Sequence, residues 1–208
     1  MIIVFYIIVL IFSVIVHEVS HGYVALRLGD MTARDAGRLT LNPLKHLDFF
    51  GSFLLPLLLA ISHLPVFGWA KPVPYDPRFL KNPKQSAGLI ALAGPASNML
   101  LAVIFAILVR ILVAVGITSV SMVQLFYFLN IIIQTNVALA FFNLIPIPPL
   151  DGSGILFSLL PRQFSQLENF LRRYGFFILL ILIAMGVGFL TRPIVGAHSI
   201  AVGQDSYL

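Results

Sequence analysis

Cysteine is absent from the 208 residues. Disulfides, thiolate metal ligands and cysteine nucleophiles are therefore excluded. Charge is nearly as scarce: 10% of residues are Asp, Glu, Lys or Arg, against about 25% in a soluble domain. No hydrophilic stretch is long enough for an appended soluble domain. A basic start and a small-residue cleavage site are also missing from the first sixteen residues, so no removable signal peptide is expected. What is present is apolar. Hydrophobic residues make up 59% of the chain, and its mean hydropathy is +1.00. Residues 1–208 read as a single membrane-embedded domain, with 192–208 a peripheral tail. The net charge of +5 carries no nucleic-acid signal. In a membrane protein the placement of Lys and Arg matters more than their sum.

A helix needs about 20 mostly apolar residues to cross the bilayer core. Residues 2–26, 87–113, 123–147 and 174–191 meet this. The stretch 49–69 lacks Lys, Arg, Asp and Glu but contains Pro56, His63 and Pro65. Eleven of the thirteen basic residues fall in three groups: Arg27, Arg34, Arg38 and Lys45; Lys71, Arg78, Lys81 and Lys84; and Arg162, Arg172 and Arg173. The 114–122 connection carries no charge. Placing all three groups in the cytoplasm satisfies the positive-inside rule and puts both termini outside. It also makes 49–69 a re-entrant hairpin broken near Pro56, in preference to a fifth spanning helix. Gly, Asp, Thr and Asn-Pro punctuate 29–48, which reads as short strands and turns near the cytoplasmic face. Trp69 to Tyr75 contains two prolines and suits an edge strand or extended loop. The expected fold is an all-α polytopic membrane protein: four transmembrane helices, the extra hydrophobic segment and short β-strands. No internal repeat points to an inverted-repeat transporter.

The first helix contains His17-Glu18-Val19-Ser20-His21. Histidines at i and i+4 lie about 40° apart around a helix and one turn along it, so both rings can reach one ion. A glutamate beside the first can act as base toward a water at that ion. This is the HExxH arrangement of zinc hydrolases. Ionisable groups in hydrocarbon are costly and functional by default. The bland alternative, a pair of interhelical hydrogen bonds, leaves an unpaired carboxylate in the membrane.

A catalytic zinc commonly takes three protein ligands and keeps one open position. With two Glu and six Asp in the chain, candidates for the third are few. Asp151 stands out, in Asn143-Leu144-Ile145-Pro146-Ile147-Pro148-Pro149-Leu150-Asp151-Gly152. The prolines break the helix and let the aspartate turn inward. Gly152 allows a tight turn. Both the first helix and the one before Asp151 run inward, so the depths agree. The alternative for Asp151 is an N-cap of the following helix.

These residues resemble the site-2 protease family of intramembrane metalloproteases. His17 to His21 matches its HExxH, and Asn143 to Gly152 its second signature. Asn42-Pro43, Gly51-Ser52 and Gly94-Pro95 with Asn98 resemble the compact members that lack a PDZ domain. The resemblance implies that His17, His21 and Asp151 bind one Zn2+ and that Glu18 is the general base. It also implies that Asn143 helps bind the substrate carbonyl or oxyanion. The expected function is peptide-bond hydrolysis in membrane-spanning substrates, in the cell membrane, with the active site toward the cytoplasm. An unwound substrate would pair with an extended strand, to which Trp69–Tyr75 corresponds.

His46 reads as a solvated loop histidine, His63 as interfacial and His198 as part of the tail. Gly94, Pro95 and Asn98 suit close helix packing, with Asn98 also able to support a ligand. Gln134 and Asn136 are expected to face the bundle. An aspartyl protease would need a second membrane aspartate. A rhomboid-type serine protease would need a histidine for Ser153, and only His198 follows it. A metal transporter or zinc-binding scaffold is the alternative of another class, because it would not need Glu18 as a base.

Overall fold

Hydrophobic runs of this length can satisfy their backbone inside a bilayer only as helices. A computed structural model describes residues 2–54, 57–58, 61–62, 71–117 and 122–185. Its helices are α1 (Ile2–Arg27), α2 (Thr32–Asp35), α3 (Pro83–Ala114), α4 (Val123–Asn143), α5 (Asp151–Leu159) and α6 (Ser165–Ala184). Helices α1, α3 and α4 are long and apolar enough to cross a membrane. Their exposed side chains include Ile3, Ile7, Leu100, Ile104 and Ile107. Such a surface suits lipid and would be a liability in water.

Helix α3 is the centre of the bundle and packs on α1, α4 and α5. Small residues set the spacing. A Cβ at Gly88 would lie 2.2 Å from Ser158 Oγ, and one at Gly154 would lie 2.9 Å from Ala91 Cβ. In lipid, close packing between small residues replaces the hydrophobic drive of a soluble core. A compact apolar cluster does form where the C-terminal end of α1 meets the start of α3, with Ala25, Leu80 and Ile90 buried.

The all-helical expectation holds among the described residues, but two details differ. First, no strand forms there. The expected strands in 29–48 are replaced by α2 and a 3-10 turn at Pro43–Lys45. Asp30 accepts from the Thr32 N–H at 2.9 Å, and Asn42 accepts from the Leu44 N–H at 3.0 Å. Such local side-chain bonds favour helical turns over extended pairing. Residues 71–76 are neither helical nor strand-paired, and Trp69 and Ala70 lie outside the described residues. Second, among the described residues three helices qualify as spans, and the fourth expected span is not confirmed. Helix α6 begins at Ser165 and carries Glu168, Arg172 and Arg173 in its first half. Its continuation beyond 185 lies outside the described residues, as do His63, His198 and most of 49–69. Of that last stretch, Phe49–Leu54 forms a wide, π-type helical turn.

Replacing Gly88 by Val should lower the thermal unfolding midpoint in detergent, because overpacking commonly costs about 1–3 kcal/mol. Gly116→Ala, in open space but at φ 78°, should cost less. The two melting curves, recorded side by side, check the ranking.

Candidate metal centre

His17 and His21 come to one face of α1 by their spacing, and α5 supplies Asp151. Helix α4 ends at Asn143, earlier than the expected 147, and residues 144–150 turn back. Pro146, Pro148 and Pro149 cannot donate the N–H groups that would extend α4. The N-cap of α5 is Leu150, with no side-chain cap bond. The carboxylate of Asp151 is therefore not spent on capping. It points at α1, with Oδ2 at 2.9 Å from His17 Nε2 and 3.4 Å from His21 Nε2. Gly152 acts by close approach, not by an unusual turn: a Cβ there would lie 2.2 Å from the Leu144 carbonyl oxygen.

The donor atoms fit a metal ion. One atom each from His17, His21 and Asp151 lies within 4.8 Å of the others. Asp151 Oδ2 is buried, yet neither close imidazole nitrogen meets it in hydrogen-bonding geometry. Three donors thus converge without satisfying one another. His21 Nδ1 lies 2.6 Å from the carbonyl oxygen of Ile90. A carbonyl can only accept, so Nδ1 carries a proton, and in the neutral ring this leaves the Nε2 lone pair facing the centre. Helix α3 leaves room for this. A Cβ at Gly94 would sit 2.5 Å from both His17 Nε2 and His21 Nε2.

Glu18, on the next position of α1, lines the same cavity of about 1360 Å³ as the three donors. Its Oε2 accepts the backbone N–H of Val73 at 3.0 Å. Asn143 also lines this cavity. Its Nδ2 donates to the Leu139 carbonyl oxygen at 3.0 Å. That uses one of the two amide hydrogens. The cavity continues past Ser153 to Lys84, Arg162 and Arg172.

These placements match a known family. The profile of peptidase family M50 matches residues 5–123 and 110–182. The chain belongs to peptidase family M50. This is the site-2 protease family that the two signatures resemble. The M50 chain is 40% identical over 205 residues to YwhC of Bacillus subtilis (strain 168), by its name a candidate zinc metalloprotease. That match covers 97% of this chain and 88% of YwhC. Rip2 of Mycolicibacterium smegmatis, named in the same way, is 33% identical over 175 residues, covering 82% of this chain and 63% of Rip2. Rip2 of Mycobacterium tuberculosis (strain H37Rv) is 30% identical over 152 residues, covering 69% of this chain and 52% of that protein. No solved structure matches.

Other sequence readings resolve around this M50 site. His46 is buried rather than solvated, with Nε2 2.8 Å from the Thr40 carbonyl oxygen. It stands with Arg38, which donates to the Lys45 carbonyl, in closing the 38–46 loop. Asn98 is fully buried one turn beyond Gly94, and its Nδ2 has no partner. His17 Nδ1 is likewise buried without a partner. Asn136 faces the bundle interior, bonded by Nδ2 to the Ile132 carbonyl oxygen at 2.9 Å. Ser153 Oγ donates to the Leu150 carbonyl oxygen at 2.7 Å and has no histidine beside it among the described residues. Two backbone groups escaped the sequence reading, the Ile90 carbonyl and the Val73 N–H. Backbone partners leave no residue-type signal.

Gly94→Ala should weaken divalent-metal binding by about ten- to a hundredfold, the usual scale when groups that orient metal ligands are displaced. Metal titration of the purified protein, followed by calorimetry, checks this.

Proposed function

We propose that this M50 chain is a multi-pass zinc metalloprotease of the cell membrane that hydrolyses peptide bonds in membrane-spanning substrates. The observation that carries the reading is the convergence of His17 Nε2, His21 Nε2 and Asp151 Oδ2 within 4.8 Å, in the cavity that Glu18 lines. Those three side chains hold one Zn2+. When bound, the ion supplies a Lewis acid that polarises a carbonyl and makes water a better nucleophile at neutral pH.

The chain's own groups do the rest. Glu18 takes the proton from the attacking water and delivers it to the leaving amine. Asn143 donates its remaining amide hydrogen to the oxygen that gains charge. The cavity admits an unwound stretch of substrate, because a peptide inside a hydrogen-bonded helix does not present its amides. Cavity wall residues Lys84, Arg162 and Arg172 support an opening on the cytoplasmic side, where basic residues collect. Cleavage there would release the cytoplasmic part of a membrane anchor, as regulated intramembrane proteolysis requires.

The test is cleavage of a tagged single-span substrate by purified protein in detergent, with zinc measured on each variant. Glu18→Gln should keep zinc and cut no substrate. Asp151→Ala should lose both zinc and activity. Unchanged cutting by Glu18→Gln overturns the mechanism, whereas zinc binding with no cutting by wild type leaves the transporter or scaffold reading. Asn143→Ala should lower kcat by about 10²–10³-fold, the scale of one lost oxyanion donor. An equal rise in KM with constant kcat would instead make Asn143 a ground-state binding group.

A further inference from the structure

A base for proton transfer must be held in line, and a glutamate has three rotatable side-chain bonds with which to drift. In this chain one Glu18 oxygen is fastened. The fastener is the N–H of Val73, at 3.0 Å, from a segment 55 residues away in sequence. Val73 is flanked by Pro72 and Pro74. Proline has no N–H, so among residues 72–74 the backbone offers a single donor, and it is aimed at Glu18. The residue before a proline is also biased toward extended geometry. Lys71 and Val73 are thus kept straight without a sheet.

The segment is pinned on both sides of that contact. The Lys71 N–H donates to the His46 carbonyl oxygen at 2.8 Å. The Asp76 N–H donates to Asp30 Oδ2 at 2.7 Å. Asp30 has no exposed surface. Its Oδ1 holds the Thr32 N–H at 2.9 Å and the Thr32 hydroxyl at 2.5 Å. A buried carboxylate with every oxygen occupied is a rigid post. Packing seats Val73 as well. Its Cγ1 would lie 2.8 Å from a Cβ at Gly22, one turn beyond Glu18 on the same face of α1.

We propose that Val73, through its backbone N–H, is the positioning residue for Glu18, and that Asp30 and the His46 carbonyl fix Val73 in place. The inference rests on the reading of Glu18 as the base. It adds a consequence: Pro72, Val73 and Tyr75 line the cavity, so a substrate seated there presses on the segment that aligns the base.

Two measurements on the full-length protein in detergent test it. The first is hydrogen–deuterium exchange at the Val73 amide. Glu18→Ala should speed exchange there about tenfold or more, by opening a local bond, while Glu18→Gln, which retains an acceptor oxygen, should stay close to wild type. Equal protection in wild type and Glu18→Ala overturns the proposal. The second is cleavage kinetics. Val73→Ala keeps the N–H but loses the packing on α1, and should lower kcat far less than Val73→Pro. Val73→Pro removes it and should lower kcat about ten- to a hundredfold, the scale of a misplaced catalytic group, with KM and zinc content unchanged. A folded, zinc-loaded Val73→Pro protein with wild-type kcat overturns the proposal. If Val73→Pro does not fold, the exchange result decides. If wild type binds zinc but cuts no substrate, the protease reading fails and Val73 has no base to position. Failure of Val73 alone leaves wild-type cleavage intact.

Discussion

Two imidazoles and a carboxylate lie close together on helices that a bilayer would surround. Each group is costly there alone. They are tolerable only if they share a partner, and the bundle is organised around bringing them together. Helix α1 supplies both histidines by its own periodicity. Helix α4 must stop at Asn143, and the proline turn must reverse the chain, for Asp151 to reach them. Helix α3 must come close enough to give His21 the Ile90 carbonyl, yet leave the centre open at Gly94. A side chain at 94 would occupy the space of an ion.

The same economy governs the rest of the packing. Lipid tails are as apolar as leucine, so burying leucine between helices gains little in a membrane. Close contact between small residues must contribute instead. Gly88 against Ser158, Gly154 against Ala91, and Gly175 against Pro148 bring α3, α5, α6 and the proline turn together. Two of these contacts join α5 to α3. A nine-residue helix carrying the proposed ligand Asp151 cannot hold its position alone. Its precision is borrowed from α3.

How much was legible in the sequence follows from what each signal depends on. Helix periodicity is local, so His17, Glu18 and His21 were readable together. Proline chemistry is local too, and it exposed Asp151. The spans of α1, α3 and α4 were visible as composition. The β-strands were misread because Asp30 and Asn42 bond to the backbone two residues on, and that choice between turn and strand depends on side-chain rotamers. Helix α6 was placed too late because its apolar run hides an amphipathic start bearing Glu168 and Arg172, which pair at 2.8 Å. His46 looked solvated because loop position suggests exposure, whereas its burial comes from the fold of 38–46 around it. The backbone partners of His21 and Glu18 could not be read at all, since every residue type carries the same carbonyl and nearly every one the same N–H.

That last blindness explains why the segment 71–76 matters more than its composition suggests. An edge strand in a soluble protein is aligned by its neighbours' ladder of hydrogen bonds. Here the described residues provide no such ladder, and two prolines would interrupt one. Three discrete acceptors take its place: a carbonyl from the 38–46 loop, the carboxylate of Glu18 and the carboxylate of Asp30. Two of the three are acids, and hydrogen bonds to ionised acceptors are stronger than those between neutral groups. An extended segment held this way is fixed at a few points and free between them. Its carbonyls at Pro72 and Pro74 need no internal donor to keep it in place. On the proposed protease reading, a substrate N–H bonded to this segment would leave the contact between Val73 and Glu18 in place.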